Sequence, residues 1–220
     1  MHNGIVSLTF DDGWKCQYDY ARPILDRYNI KATFYIITSN IKATMKNYFG
    51  RSEILALQAS GHEIGAHTVN HPDLCSTFPW KVREIQLSKH DLASIGVKAR
   101  SFAYPYGRHN WLIRWMVRMS GFRNSRITDN RFNGKQKNRW QIGGKVIRNT
   151  TTISDVHSWL EQARENKYLL VLIFHQIEEN PRSYGCTPSF LEEICQLLVS
   201  ADLPTATLSD GWKLATSARS

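Results

Sequence analysis

Apolar, β-rich runs alternate with amphipathic helical stretches from end to end of this 220-residue chain, and that alternation leaves few folds open. Ile5 to Phe10, Ala32 to Ile37, Glu63 to Ala66, Arg100 to Tyr104 and Tyr168 to Phe174 read as strands. The spacing predicts helices over Cys16 to Tyr28, Ser52 to Ala59 (with Ser52 as its cap), Trp80 to Ile95, Trp111 to Met119 and Ser154 to Glu165. Phe122 to Asn124, Val146–Ile147 and Thr205 to Thr207 add short strands, and Ser189 to Leu198 a further helix. Strands separated by helices lie parallel, as both a doubly wound open sheet and a (β/α) barrel require. The nucleotide-binding open sheet carries a glycine-rich turn after its first strand. Here the first strand runs into Asp11-Asp12-Gly13, and neither GxGxxG nor GxxxxGK[ST] occurs. The barrel is favoured.

Composition removes other classes. An apolar fraction of 42% with only 13 Gly and 7 Pro excludes a disordered or collagen-like chain. No run approaches the roughly 18 apolar residues of a membrane span, so no integral membrane contact is expected. The start lacks the basic stretch and apolar core of a secretory signal, which predicts a cytoplasmic protein unless the chain is a trimmed piece. Residues 1–220 read as one large domain. Cys16, Cys75, Cys186 and Cys195 show no CxxC spacing and read as free thiols, with a Cys186–Cys195 bridge only in an oxidising compartment. The net charge is +9, and Arg126 to Lys145 holds six basic residues against Asp129 alone. That segment reads as a surface loop, and as one wall of a groove for an anionic partner through Lys135, Lys137 and Arg139. Nucleic acid is not the expected partner, since charge alone would argue for it.

Four polar clusters follow predicted strands directly: Asp11-Asp12, His67 to His71, Pro105-Tyr106-Gly107, and His175. In barrels those positions converge on one face, where active sites lie. His67 and His71 are four apart, so a helical turn would let both rings meet one metal ion. Two His and one Asp leave coordination positions open, as a catalytic metal requires. His2, His62, His90, His109 and His157 read as ordinary surface or core residues.

These residues resemble a family. Leu8-Thr9-Phe10-Asp11-Asp12-Gly13 and His67-Thr68-Val69-Asn70-His71-Pro72 are similar to the first two motifs of the polysaccharide deacetylases, carbohydrate esterase family four. Phe102 to Gly107 resembles the third motif and Leu172 to His175 the fifth, so the resemblance spans about Ile5 to Thr207. It implies a distorted (β/α) barrel with about seven parallel strands. It implies one divalent metal ion, zinc before cobalt or nickel, on Asp12, His67 and His71. Asp11 would be the general base for the attacking water, and the Tyr106 N–H would help hold the oxyanion. His175 would protonate the leaving amine. The implied substrate is an N-acetylated bacterial-type glycan: an exopolysaccharide, a cell-surface polysaccharide, or a peptidoglycan- or chitin-like polymer.

Two departures follow. Many members carry an arginine two residues before the third-motif proline, paired with the base, and here that place is Ala103. Arg148, just past Val146–Ile147, is the expected replacement. The fourth motif is not recognisable, and Asp155 near Trp159 reads as a helix cap. The alternative function is a non-catalytic glycan-binding module using Trp14, Trp111 or Trp140 as sugar platforms; a binder has no use for a base and an acid.

Overall fold

The computed structural model describes residues 4–42, 45–76, 80–134 and 138–217. Its strands are Ile5–Phe10 (β1), Thr33–Ile36 (β2), Glu63–Ala66 (β3), Ser101–Ala103 (β4), Asn124–Arg126 (β5), Lys145–Val146 (β6) and Leu169–Phe174 (β7). All six residues of β1 and all six of β7 are buried, which only a sheet covered on both faces allows. The order is β5-β4-β3-β2-β1-β7-β6 and every neighbour is parallel. The sheet curls into a distorted (β/α) barrel that is open between β5 and β6. Residues 127–134 and 138–144 stitch that opening: Ile127 N–H donates to Ile142 O at 2.8 Å, and Asn133 exchanges backbone hydrogen bonds with Leu169.

Side chains alternate faces along a strand. Val6, Leu8 and Phe10 therefore join the core beneath the helices, while Ile5, Tyr35, Ala103, Leu169, Val171 and Ile173 fill the barrel interior. The same parity, carried one step past the strands, aims Asp11 and His175 inward, and it aims Arg126 inward from β5. Gly65 on β3 makes room there: a Cβ would stand 2.4 Å from the Tyr35 ring.

The helices are Arg22–Arg27 (α1), Thr38–Lys42 (α2), Arg51–Ala59 (α3), Lys81–Ser94 (α4), Trp111–Met119 (α5), Ile153–Asn166 (α6), Pro188–Ser200 (α7) and Leu208–Ser217 (α8). Three expectations need correcting. The predicted Cys16 to Tyr28 helix forms, but it is not α-helical throughout: Gln17–Ala21 is a π-helical turn that runs directly into α1, and Gln17 is buried. Ser52 lies inside α3, and Gly50 holds the cap position, its N–H donating to Glu53 Oε2 at 3.1 Å. Thr205 to Thr207 makes one bridge, Val6 to Thr205, before α8 begins. Leu208 and Trp212 of α8 plug the strand-start end of the barrel, where the Leu208 N–H donates to Thr33 Oγ1 at 2.8 Å. All four cysteines are free, and burial pushes the Cys186 and Cys195 thiols up to about 12.

Candidate active site

The strand-end clusters meet in a cavity of about 450 Å³ whose walls include Asp11, Asp12, His67, His71, Tyr106, Arg148 and His175. The turn after β1 separates the two carboxylates. Asp12 and Gly13 both have φ of 73°, a left-handed pair that reverses the chain. Asp11 stays in the barrel and Asp12 turns toward the histidines. Trp14 Nε1 donates to Asp12 Oδ2 at 3.0 Å, and Asp12 Oδ1 faces His67 Nε2 and His71 Nε2 at 3.7 Å each.

The His pair is not on a helix. Thr68 (φ 67°) and His71 (φ 57°) are left-handed, and Thr68 Oγ1 accepts from the His71 N–H at 2.9 Å. Glu84 of α4 clamps the loop, its Oε2 accepting from the Val69 and Asn70 N–H groups at 2.9 Å each. The two Nε2 atoms end 3.1 Å apart.

The donor set fits a divalent metal. His67 Nδ1 lies 2.8 Å from Ala103 O; a carbonyl only accepts, so Nδ1 carries the proton and Nε2 presents its lone pair. Burial holds His67 down to about 4 and lowers His71 as well, which keeps both rings in the neutral, ligating form. Ligand atoms from Asp12, His67 and His71 lie within 4.8 Å of one another. Two imidazole nitrogens sharing one ion at about 2.0–2.1 Å stand about 3 Å apart, as these do.

Asp11 is paired with Arg126. Arg126 Nη2 donates to both carboxylate oxygens, at 2.7 and 2.5 Å, and both residues are buried. Burial alone would raise the Asp11 pKa. Arg126, His67 and His175 together more than offset it, so the carboxyl sits below its ordinary value. His175 Nε2 is 3.7 Å from Asp11 Oδ2, and its buried Nδ1 has no hydrogen-bond partner among the described residues. Gln17 Nε2 ties the two strand ends together by donating to Asp11 O at 2.6 Å and His175 O at 2.8 Å.

Arg148 is therefore not the partner of Asp11. It stands past the end of β6, exposed at the cavity mouth, with its guanidinium 4.3 Å from the Tyr184 ring centre. Arg126 starts inside the barrel and needs no such reach. The surface-loop reading of Arg126 to Lys145 fails at its first residue for the same reason. Further along, Arg131 pairs with Asp129, and Lys145 lies over the Phe132 and Trp159 rings. Lys135 and Lys137 lie outside the described residues.

Tyr106 has φ of 57°, and its exposed ring packs edge-on to His71 with centroids 4.7 Å apart. Gly107 has no room for a side chain: a Cβ would fall 2.1 Å from Thr128 Oγ1. Trp14 stacks on Tyr48 at 4.4 Å beside the site, Trp140 is half-buried against the core, and Trp111 is exposed and lines neither cavity that meets at Asp12. Asp155 completes a capping box with Thr152 at the start of α6. Sequence reasoning missed Arg126, Gln17 and Glu84; the alternation Asn124, Arg126 was the signal for the first.

A family model described as polysaccharide deacetylase matches residues 1–125. Gellan lyase from Bacillus sp is 36% identical over 107 residues, 47% of this chain but 4% of that protein. The chain spans well under half the length of the first curated relatives it matches. Among solved structures, Streptococcus pyogenes deacetylase PplD in complex with acetate aligns with a TM-score of 0.65 at 25% identity, covering 72% of this chain and 69% of that one. The family 4 carbohydrate esterase from Streptomyces lividans shares the fold, with a TM-score of 0.67, 20% identity and coverage of 94% and 93%. With more than half of its length matched by the family model, the chain belongs to the polysaccharide deacetylase family.

Proposed function

We propose that this chain, acting as one domain over residues 1–220, hydrolyses N-acetyl groups from a glycan with one divalent metal ion on Asp12, His67 and His71. One observation carries the reading: three convergent ligand atoms lie beside a buried carboxylate whose charge is fixed by a buried arginine. The metal, zinc by preference for a two-nitrogen, one-oxygen donor set, with cobalt or nickel as alternatives, would polarise the acetyl carbonyl and acidify a water. Asp11, kept ionised by Arg126, takes the proton of the attacking water. The Tyr106 N–H donates to the developing oxyanion, and His175 delivers a proton to the departing nitrogen. Tyr106 and Trp14 wall the sugar.

Two features speak against neighbouring readings. A glycosidase needs two carboxyl groups flanking the scissile bond about 5 to 9.5 Å apart. Here one carboxylate is locked to Arg126 and the other faces two imidazoles. A pure glycan-binding module would have no reason to bury a charged pair at considerable desolvation cost. The capture of PplD with acetate supports acetate as the product class. The substrate we favour is a bacterial-type polymer: exopolysaccharide, cell-surface polysaccharide, or a peptidoglycan- or chitin-like chain. Mass spectrometry of a panel of acetylated glycans is the test. Loss of acetyl groups at constant chain length is expected, and shortened chains would overturn the proposal.

A further inference from the structure

One side of α5 belongs to the core, through Ile113 and Val117. The opposite side carries Trp111, Trp115 and Met119, which are 72%, 54% and 64% exposed. Spacing of four places all three on one stripe, about 12 Å long at 1.5 Å per residue. Scattered surface apolar residues need no explanation, but two tryptophans and a methionine in line do. Arg114 and Arg118, also four apart, run alongside, and neither makes an ion pair among the described residues.

The chain segment that carries the stripe has charge of one sign. Between Asp91 and Asp129 the chain holds seven Lys and Arg and no Asp or Glu. Arg126 serves Asp11, and Arg108 pairs with Asp73 at 2.6 Å, which leaves Lys98, Arg100, Arg114, Arg118 and Arg123 as the other cations of this segment. Lys89 adds another at the end of α5, donating to Ser120 O at 3.0 Å.

We propose that this face docks on the surface of an anionic lipid bilayer, with Trp111, Trp115 and Met119 seated at headgroup depth and Arg114 and Arg118 on lipid phosphates. Tryptophan suits that level because its ring is apolar and its N–H polar. Arginine can keep its head at the phosphates while its stem covers apolar surface. The mode is peripheral, since no helix among the described residues is long and apolar enough to cross a membrane. A sugar chain is the poorer occupant. Sugars stack on flat rings, which gives Met119 no role, and none of the three side chains lines the cavities at Asp12. Moreover, α5 runs from the strand-end face, where it follows Pro105–Gly107, back toward the start of β5. Docked along it, the barrel lies flat on the bilayer and the cavity opens sideways, toward glycan held close to the membrane. That last consequence rests on the proposed deacetylation; the docking does not.

Cosedimentation of the full chain with vesicles of phosphatidylcholine, alone or with about one third phosphatidylglycerol, tests this. Binding to the anionic vesicles should exceed that to neutral ones by roughly tenfold or more and should fade as salt rises. The double variant Trp111→Ser/Trp115→Ser should lose at least about tenfold of it. Arg114→Gln and Arg118→Gln should each cost about fivefold. All variants should keep wild-type circular dichroism and acetate release from soluble oligomers. No binding to anionic vesicles, or equal binding by the tryptophan variant, overturns the proposal. So does a wild-type dimer that the tryptophan variant disperses, or a loss confined to turnover of long soluble polymers. Vesicle binding as expected with no acetate release from any substrate would sink the deacetylase reading and leave the docking intact.

Discussion

Arg126 closes on Asp11 from 115 positions away, one nitrogen bridging both carboxylate oxygens inside the barrel. The Arg126 guanidinium also lies over the Tyr35 ring, 5.2 Å from its centre, so the strand-end arginine is held from below as well. Burial alone would push this carboxyl's pKa up, and the Arg126 charge opposes that. Arg126 thus makes the contact expected of a third-motif arginine, from a different strand.

Arg126→Ala should strand the Asp11 charge. Breaking a buried pair costs about 3–5 kcal/mol, so the thermal midpoint should drop. Turnover should fall at least about tenfold, and the acid limb of kcat/KM should move to higher pH as Asp11 loses the cation that lowers its pKa. Arg126→Lys keeps the charge and should return the limb part of the way. An acid limb unmoved in the alanine variant would show that Arg126 is merely structural.

The fold is legible in the sequence where burial imposes a simple pattern. A continuous apolar run marks β7, a run interrupted only by Ser7 and Thr9 marks β1, and Trp111 to Met119 is readable to the residue from its spacing. Helix α8 is not, because a glycine in its middle reads as a breaker. In the fold, Gly211 is needed there, since a Cβ would meet Ser7 Oγ at 2.6 Å. The metal candidates are legible as types and spacing. Their geometry is not, since it depends on left-handed Thr68 and His71, a conformation uncommon outside glycine and rare for a β-branched residue such as Thr68. Arg126 stays hidden because reading β5 as Phe122 to Asn124, two residues early, leaves the arginine in a loop.

Glu84 should matter to metal binding without touching the metal. Its carboxylate takes the Val69 and Asn70 N–H groups and the Asn70 amide, which fixes the path between His67 and His71. Loss of such support typically weakens metal affinity about 10–100-fold. Chelator competition with Glu84→Ala should give a loss of about that size, and His71→Ala a larger one. Equal affinity in Glu84→Ala would mean that the loop holds itself.

Gly107→Ala should be damaging despite its size. The residue has φ of 68°, and the new methyl would stand 2.8 Å from the Thr128 backbone nitrogen as well as against its hydroxyl. Relief requires moving the turn that carries Tyr106. Turnover should fall with little change in metal content, a split that metal analysis beside kinetics would detect.

His62 supplies a pH signature of stability. Burial holds it down to about 4, reinforced by Lys31 and opposed by Asp26, against 6.5 for the free ring. Between those values the unfolded chain binds a proton that the folded one refuses. Stability from this group is therefore complete above about 6.5, lost as pH falls toward about 4, and constant below. The slope is at most about 1.4 kcal/mol per pH unit for one proton. In denaturant titrations, His62→Gln, which can still accept from the Ala32 N–H, should flatten that window; an unchanged slope would refute the assignment.

Asp11 and His175 should separate cleanly in kinetics, because the proposed reaction asks opposite things of them. Asp11 must be ionised to accept a proton, and its depressed pKa places the acid limb of the rate below the ordinary carboxylate range. His175 must carry a proton in order to donate it to the departing nitrogen. Asp11→Asn removes the base but leaves Asp12, His67 and His71 in place, so it should abolish turnover while metal content stays at the wild-type level. His175→Ala should cost roughly a hundredfold or more on an N-acetyl substrate, whose amine leaves poorly without a proton. On an acetyl ester whose alcohol is a better leaving group, the same variant should lose much less, since less proton transfer is needed at the departing atom. Parallel assays of both substrates at several pH values decide the matter. An equal loss on amide and ester would remove His175 from the acid role, and full activity in Asp11→Asn would remove Asp11 from the base role.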